Sequence, residues 1–356
     1  MIINKEIYMT VLSLIEKLYE KRNLSHSEWC YIFENYTEND RMFAQELAKS
    51  ITIKHFGKNI FFRGIIEFTN ICKNDCYYCG LRCSNKNIQR YRLSKQDIIE
   101  CANDGYENGF RTFVLQGGED GHYTDNVLCD IVSTLKKLHP DCAITLSVGE
   151  RSRESYENLY KAGADRYLLR HEAADQGLYA KLHPKYQLHE NRIRCLYDLR
   201  EIGYQTGCGF MIGVHNQTMS DIATDMMFIQ DFKPHMLGLG PFIPHKDTPF
   251  GVFSNGSTEL TLLIISLSRI LLPNVLMPST TALGTVRDDG RKLGILAGCN
   301  VVMPNLSPMS VRKKYMLYDN KAGTDCDAAT GIEVLKKQME EIGYRVISAR
   351  GDYSEQ

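Results

Sequence analysis

A short segment of the chain contains three cysteines at a spacing suited to metal ligation. Cys72, Cys76 and Cys79 form a C-x3-C-x2-C pattern directly after an apolar, β-branched run. Thiolates are the usual ligands of iron–sulfur clusters, and three ligands on a four-iron cluster would leave one iron open to a second molecule. A zinc site is the alternative, because structural zinc takes four Cys or His ligands and Cys83 follows closely. The spacing favours the iron–sulfur interpretation.

The composition points to a reducing compartment. The 12 cysteines in 356 residues are too dilute for a small disulfide-stabilised scaffold. The N-terminus lacks the basic and apolar regions of a secretory signal, and no apolar run approaches the roughly 20 residues that span a bilayer. We therefore expect a cytoplasmic protein without membrane contact, in which the cysteines outside residues 72–83 pack as small hydrophobic residues. A net charge of −1 gives no reason to expect a nucleic acid as partner.

From Ile60 onward, short apolar or β-branched runs alternate with amphipathic segments. The candidate strands are Gly64–Thr69, Thr112–Gln116, Ala143–Ser147, Arg166–Arg170, Gln205–Met211, Met236–Gly240, Val275–Pro278 and Asn300–Met303. Parallel strands connected by helices produce this alternation, and eight of them fit a closed barrel better than an open sheet. We therefore predict an α/β fold, a complete (β/α)8 barrel of the TIM type, with its chemistry on the loops that follow the strands.

Helical patterns fill the intervals between strands and both ends of the chain. The candidate helices between strands are Ser94–Asn108, Asp125–Leu138, Ser152–Ala162, Glu190–Ile202, Ser220–Phe232, Glu259–Leu272 and Val286–Ala297. Ser94 with Asp97 predicts the N-terminal cap of the first helix. A last helix is expected over about Ala328–Ile342. We predict three regions, namely an N-terminal helical extension over 1–58, the barrel over 59–325, and a C-terminal helix and tail over 326–356.

The cysteine segment resembles the cluster loop of the radical S-adenosylmethionine (SAM) superfamily. Further stretches resemble the HydE family of [FeFe]-hydrogenase maturases within it, namely residues 80–82, 90–92, 114–120, 167–172, 240–245, 278–285 and 302–305. This resemblance runs from about residue 25 to the C-terminus. The cluster motif is shared by the whole superfamily, whereas the later stretches are more specific. The resemblance implies a radical SAM barrel enzyme of hydrogenase maturation.

The same resemblance implies two cofactors, a [4Fe–4S] cluster held by the three cysteines and SAM on its open iron. It assigns the binding of SAM to Tyr78, Gln116, Gly117, Gly118, Glu119, Arg170, Glu172 and Arg192. Glycines at a strand end let the backbone approach a ligand closely, although the family often has Ser at Gly117. Arg192 corresponds to the residue that pairs with the SAM carboxylate, which a guanidinium can bind through two hydrogen bonds.

A substrate cavity is also implied by the resemblance, lined by Arg166, Thr280, Thr281, Met303 and Tyr315. An anionic iron complex would need a cation and hydroxyl donors inside an otherwise apolar chamber. The implied reaction is reductive cleavage of SAM to methionine and a 5′-deoxyadenosyl radical, which attacks the cysteine sulfur of an Fe(CO)2(CN)(cysteine) precursor. The implied partners are the maturases HydG, which supplies the precursor, and HydF, with a ferredoxin- or flavodoxin-type electron donor.

Other functions remain open on the sequence alone. Methylornithine synthase shares the cysteine loop, but residues 169–172 and 240–245 favour HydE. Biotin synthase needs additional cysteine ligands within the barrel for a second cluster, and no clear set is present. A non-catalytic iron–sulfur scaffold or electron carrier would have a fully ligated cluster, with Cys83 as the fourth ligand.

Overall fold

The computed structural model describes residues 9–324 and 328–355 of the chain. Cys326 and the predicted boundary between residues 325 and 326 lie outside these ranges. Within them, no helix is both long enough and apolar enough to cross a bilayer.

Three helices precede the first strand. They are α1 (Val11–Lys21), α2 (His26–Asn35) and α3 (Glu38–Phe56). Each begins with a capping box, in which Thr10, Ser25 or Thr37 and the residue three positions later satisfy each other's backbone N–H groups. These caps fix the helix starts within a polar stretch where hydrophobic periodicity alone does not define them.

Eleven strands follow within the described residues. They are β1 (Asn59–Phe62), β2 (Gly64–Thr69), β3 (Thr112–Gly117), β4 (Ala143–Ser147), β5 (Arg166–Leu168), β6 (Gln205–Cys208), β7 (Met211–Ile212), β8 (Met236–Leu237), β9 (Gly240–Pro241), β10 (Val301–Val302) and β11 (Arg345–Ile347). Strands β2, β3, β4, β5, β6 and β8 form one parallel sheet in that order. A second parallel sheet has the order β10-β1-β11, and β7 pairs with β9.

Single parallel bridges continue the strand order beyond β8. They join Met236 to Leu276, Pro278 to Val301, and Ile65 to Asn305. The predicted strand Val275–Pro278 is therefore represented by bridges rather than by a ladder. The α/β fold with a parallel six-stranded sheet is confirmed, and the structure forms a partial barrel instead of a complete ring of continuous ladders.

Eleven further helices are formed by the described residues. They are α4 (Lys95–Glu107), α5 (Asp125–Leu138), α6 (Arg153–Lys161), α7 (Gln176–Leu182), α8 (His189–Ile202), α9 (Met219–Phe232), α10 (Thr258–Leu271), α11 (Thr281–Val286), α12 (Gly290–Leu296), α13 (Met309–Arg312) and α14 (Ala328–Glu341). Ser94 and Asp97 form the predicted cap of α4. Helix α10 is buried on almost all sides because α1 and α3 of the N-terminal extension pack against it.

The helix predicted over Val286–Ala297 is confirmed only from Gly290 onward, as α12, and a separate short helix, α11, precedes it. Arg287 leaves the helical conformation, with φ −143° and ψ 136°. Gly290 then passes so close to α11 that a Cβ there would lie 2.0 Å from the carbonyl oxygen of Leu283. Helical periodicity in the sequence does not reveal that the backbone passes back against α11.

The C-terminal tail crosses the amino end of the strands and is held there by Arg166. This residue begins β5 and is fully buried, and its guanidinium donates to the carbonyls of Arg350 (2.9 Å) and Gly351 (3.1 Å) and to Asp352 (2.7 Å). The prediction that Arg166 lines the substrate cavity is thereby corrected. The first residue of a strand lies at the opposite end from the loop that follows it, and here the tail occupies that end.

Replacing Arg166 with methionine is expected to release the tail and lower the free energy of unfolding. Asp352 is partly exposed and can be rehydrated, so the cost is that of charged hydrogen bonds, about 1.5–3 kcal/mol. Urea unfolding measures the change, and Arg345→Met, at an exposed residue of the same tail, is the control. Equal stability of wild type and Arg166→Met would contradict this role.

Candidate active site

The cysteine segment follows the carboxyl end of β2 and borders a cavity of about 310 Å³. Cys76 and Cys79 line this cavity. Cys72 lies beside it, with its Sγ accepting a hydrogen bond from the backbone N–H of Glu119 at 3.4 Å. The predicted loop therefore directs at least two of its thiols towards the space beyond the strand ends, which is where the chemistry of barrel folds is found.

The side chain of Arg90 holds the cysteine loop through hydrogen bonds to its backbone. Its guanidinium donates to four backbone carbonyls, those of Asn70 (2.5 Å), Leu81 (2.9 Å), Arg82 (2.7 Å) and Asn85 (3.1 Å). A guanidinium carries five N–H donors in one rigid plane, so it can join the beginning and end of a loop in a single geometry. The path of the loop is thus fixed by protein contacts.

A carboxylate inside the loop adds a second fixed point. Asp75 accepts two hydrogen bonds from Arg82, at 2.7 and 2.6 Å, and two from Ser84, at 3.1 Å from its backbone and 2.7 Å from its hydroxyl. The Arg82 guanidinium, followed by the Ser84 donors, holds the pKa of Asp75 well below its usual range despite partial burial. Asp75 is therefore ionised across the neutral pH range and keeps its hydrogen bonds to Arg82 and Ser84.

The segment after β5 brings two charged side chains to the cavity. Glu172 has a φ of +66°, a conformation that is costly for a residue with a side chain, and its N–H donates to Gly209 at 3.0 Å. Arg170 Nη2 and Glu172 Oε2 lie 3.3 Å apart without the alignment of a hydrogen bond. Both atoms are buried and have no hydrogen-bond partner, as is true of Thr280 Oγ1. Three unsatisfied polar atoms in one cavity lining indicate a polar ligand.

Arg192 enters the cavity lining from α8. A charge on a helix surface is ordinarily solvated, but this side chain is buried and donates to Glu150 at 2.5 Å and to the carbonyl of Arg170 at 2.6 Å. The structure thus brings it to the predicted site. Glu150, which sequence reasoning missed, is its protein partner there.

Tyr78 is held in the cavity wall by a buried histidine. Its hydroxyl lies 3.2 Å from His183 Nε2, and His183 Nδ1 lies 2.9 Å from the carbonyl of Tyr179. Burial lowers the pKa of His183 to about 3 and raises the pKa of Tyr78 well above its usual value. Both side chains are therefore neutral at physiological pH, and the tyrosine hydroxyl can donate to the imidazole.

The segment after β3 is divided between the cavity and the cysteine loop. Gln116 and Gly117 line the cavity, whereas a Cβ on Gly118 would lie 2.3 Å from the carbonyl oxygen of Ile71. Gly118 is thus required for close approach to the cysteine loop itself. The Glu119 carboxylate lies outside this cavity, 3.2 Å from Lys73 Nζ.

The residues predicted to line the substrate cavity do not all line the same cavity. Thr280 and Tyr315 line the cavity that contains the cysteines, and Tyr315 accepts a hydrogen bond from Gln116 at 3.3 Å. Thr281 and Met303 line a neighbouring cavity of about 250 Å³. Arg166 belongs to neither. Side chains of consecutive residues that leave a strand end point in different directions, which the sequence does not resolve.

The other cysteines behave largely as predicted. Cys83 is half-buried and outside the cavity lining, with its N–H bonded to the carbonyl of Asn74 at 2.9 Å. Five others are buried free thiols, namely Cys101, Cys142, Cys195, Cys208 and Cys299. In the described ranges no three His, Cys, Asp or Glu side chains converge as ligands of a single metal ion.

Several residues that shape the site were missed or undervalued. Arg90 entered the sequence analysis only through the resemblance of residues 90–92, and Asp75 and His183 carried no assigned role. The one available signal was that Asp75 and Arg82 lie within the cysteine segment itself. Contacts from Arg90 to carbonyl oxygens leave no pattern in side-chain types.

Comparisons with known proteins agree with this geometry. The radical SAM superfamily matches residues 66–229. The [FeFe] hydrogenase maturase subunit HydE of Thermotoga maritima is 44% identical over 316 residues, which are 88% of this chain and 89% of that protein. The 3-methylornithine synthase of Methanosarcina acetivorans is 28% identical over 306 residues, 85% of this chain and 86% of its own. The crystal structure of methylornithine synthase (PylB) superposes with a TM-score of 0.83 at 26% identity, over 94% of this chain and 97% of that one.

Replacing Arg90 with methionine is expected to loosen the cysteine loop. Even one hydrogen bond from a charged group is worth about 1.5–3 kcal/mol, so amide exchange in peptides that cover residues 70–85 should accelerate by at least about tenfold. Hydrogen-exchange mass spectrometry measures this directly. Arg287→Met, at an exposed arginine, is the control and should leave these peptides unchanged. Equal amide protection of residues 70–85 in wild type and Arg90→Met would refute this role of Arg90.

His183 should make stability depend on pH. Its folded pKa of about 3 lies below the unfolded value of about 6.5, so the unfolded chain binds the proton first. This part of the stability is present above about pH 6.5 and is lost as the pH falls towards 3. Between pH 7.5 and 5.0 the wild type should therefore lose about 2 kcal/mol more free energy of unfolding than His183→Gln. Parallel stability curves for the two proteins would contradict the assignment.

Proposed function

Because this chain belongs to the HydE family of [FeFe]-hydrogenase maturases, we propose that Cys72, Cys76 and Cys79 hold a [4Fe–4S] cluster and that the adjoining cavity binds SAM. It is a radical SAM enzyme with a role in hydrogenase maturation. The family implies the cluster and SAM, and the assignment of ligands to individual residues is the proposal. This proposal rests on one observation. Two motif cysteines line the same cavity as buried polar atoms of Arg170, Glu172 and Thr280 that have no hydrogen-bond partner.

The thiols themselves support cluster binding. Burial and then the Cys72 thiol raise the pKa of Cys79 to about 12, and burial with the neighbouring thiols raises that of Cys76 as well. Cys76 and Cys79 line the same cavity, and Cys72 precedes them in the same loop. Binding of a cluster would replace these thiol protons with iron, because the thiolate is the form that ligates a metal.

The cavity supports SAM binding through the polarity of its lining. SAM carries an amino group, a carboxylate and a ribose, and Glu172 and Arg192 offer a carboxylate and a guanidinium for these groups. The unsatisfied Thr280 hydroxyl can donate or accept. At about 310 Å³ the cavity is within the usual range for small-molecule sites. Tyr78 contributes an aromatic wall beside the cysteines.

The remaining walls exclude water from the reaction. Leu168, Leu169, Met211, Ile243 and Leu317 line the cavity and offer no competing hydrogen-bond partners. When bound, the reduced cluster supplies the electron that cleaves SAM to methionine and a 5′-deoxyadenosyl radical. A primary radical reacts with whatever it first meets, so the task of this chain is to position the target and keep solvent away.

The substrate belongs to this proposal rather than to the established part of the function. We expect an organometallic iron–cysteine compound of the type Fe(CO)2(CN)(cysteine), attacked at its sulfur. The hydroxyls of Thr280 and Tyr315 can donate to its anionic ligands in this cavity, and Thr281 and Met303 line the adjoining one. The same proposal includes HydG as supplier of this compound, HydF as a later partner and a ferredoxin- or flavodoxin-type electron donor. It also includes the three predicted regions of the chain and an eight-stranded barrel completed through the single bridges beyond β8.

Serine variants of the cysteines test this assignment. Mutating a residue that hydrogen-bonds to a metal ligand typically costs about 10–100-fold in metal affinity or activity. Loss of a ligand itself, in Cys76→Ser, should therefore reduce SAM cleavage by at least about 100-fold and lower the iron content. Cys83→Ser and Cys299→Ser are matched controls that should keep both. Anaerobic reconstitution, iron analysis and chromatography of 5′-deoxyadenosine provide the readouts. Loss of cluster and activity in Cys83→Ser, with Cys76→Ser unaffected, would overturn the ligand set.

A further inference from the structure

One buried carboxamide contacts a motif cysteine and does not line the cavity that this cysteine borders. Gln187 precedes α8, is only 9% exposed, and has its Oε1 3.4 Å from Cys76 Sγ. Its Nε2 is buried and has no hydrogen-bond partner. The side chain also lines a second, surface cavity with Lys73, Asn74 and Arg194. An unpartnered buried N–H2 group beside a cysteine requires an explanation.

The other two motif cysteines receive their donors from the backbone. The N–H of Glu119 reaches Cys72 Sγ at 3.4 Å. For Cys79, a backbone hydrogen bond from Leu81 lowers the pKa of the thiol against the larger raising effects of burial and the Cys72 thiol. For Cys76 the contact within the described residues is the side-chain amide of Gln187. The loop thus offers each sulfur a neighbouring amide, and Gln187 occupies for Cys76 the place that backbone groups occupy for the other two.

The direction of this contact depends on the state of the sulfur. A thiol donates to Oε1, whereas a thiolate ligand can only accept. Turning the carboxamide by half a rotation exchanges two groups of nearly the same shape, and it breaks no hydrogen bond at Nε2 because that atom has none. The backbone of Gln187 stays fixed by its N–H bond to Pro184 at 2.9 Å.

We propose that Gln187 is a positioning residue that donates its Nε2–H to the Cys76 thiolate and thereby raises the reduction potential of the bound cluster. This inference rests on the proposed function. Hydrogen bonds to ligand sulfurs are among the features that set the potentials of iron–sulfur clusters. A donor stabilises negative charge on sulfur, and reduction increases that charge. Gln187 therefore makes it easier for the electron donor to reduce the cluster.

The test is the midpoint potential of the reconstituted cluster in wild type and Gln187→Met. Methionine keeps the length of the side chain and removes the N–H donors. The potential is expected to fall by an amount that corresponds to about a tenfold change in the reduction equilibrium, or about 59 mV for one electron, with the iron content unchanged. Gln96→Met, at an exposed glutamine far along the sequence, is the matched control and should keep the wild-type potential. An unchanged or raised potential in Gln187→Met, with full iron content, would overturn the inference.

A second measurement does not depend on a variant that folds. Protein labelled with 15N in the glutamine side chains should show a 15N coupling to the reduced cluster in pulsed electron paramagnetic resonance (EPR), and that coupling should be absent from Gln187→Met if this protein retains its cluster. A wild-type cluster without such a coupling would refute the role of Gln187 while leaving the proposed function intact. A wild-type protein that binds no cluster responsive to SAM would refute both.

Discussion

The hydrogen bonds from the Arg90 guanidinium to four carbonyls of the cysteine loop are the constraint on which the site depends. Three cysteines within eight residues can adopt many arrangements, and most of them would not direct their thiols to one side. Arg90 joins Asn70 at the beginning of the loop to Asn85 near its end, and Asp75 closes the turn between them through Arg82. Backbone contacts to Glu119 and Leu317 tie the same loop to the rest of the fold. These contacts hold the loop in one path, which directs Cys76 and Cys79 to the same cavity.

The parallel sheet places the other half of the site opposite this loop. Strands β2, β3 and β5 end at the same edge, so Gln116, Arg170 and Glu172 reach the cavity that Cys76 and Cys79 border. The strained backbone of Glu172 and the buried polar atoms around it that lack hydrogen-bond partners are both energetically unfavourable. Such features cluster at binding sites. The opposite end of the strands is covered by the C-terminal tail on Arg166. One end of the fold is thus open for ligands and the other is closed.

Much of the fold and part of the site could be predicted from sequence. The strand Ala143–Ser147 and the cap at Ser94 are present as predicted, because β-branched runs and capping residues act locally. The placement of Arg166 and the break at Arg287 depend on contacts with distant segments, which local patterns do not contain. The cysteine spacing predicts iron–sulfur chemistry. The contacts of Arg90 and Gln187 were not predictable, since a carbonyl oxygen or a buried amide gives no distinctive pattern. The family resemblance supplied residue types at the right loops without their orientations.

In the proposed function, one iron of the cluster is open towards the cavity lined by Arg170, Glu172 and Arg192. Electron–nuclear double resonance of the reduced, reconstituted protein with SAM carrying 17O in its carboxylate and 15N in its amino group tests it most directly. Direct binding to the open iron predicts strong couplings from both nuclei, which disappear when unlabelled SAM replaces the labelled compound. A reduced cluster whose spectrum is unaffected by labelled SAM would contradict the binding of SAM to an open iron.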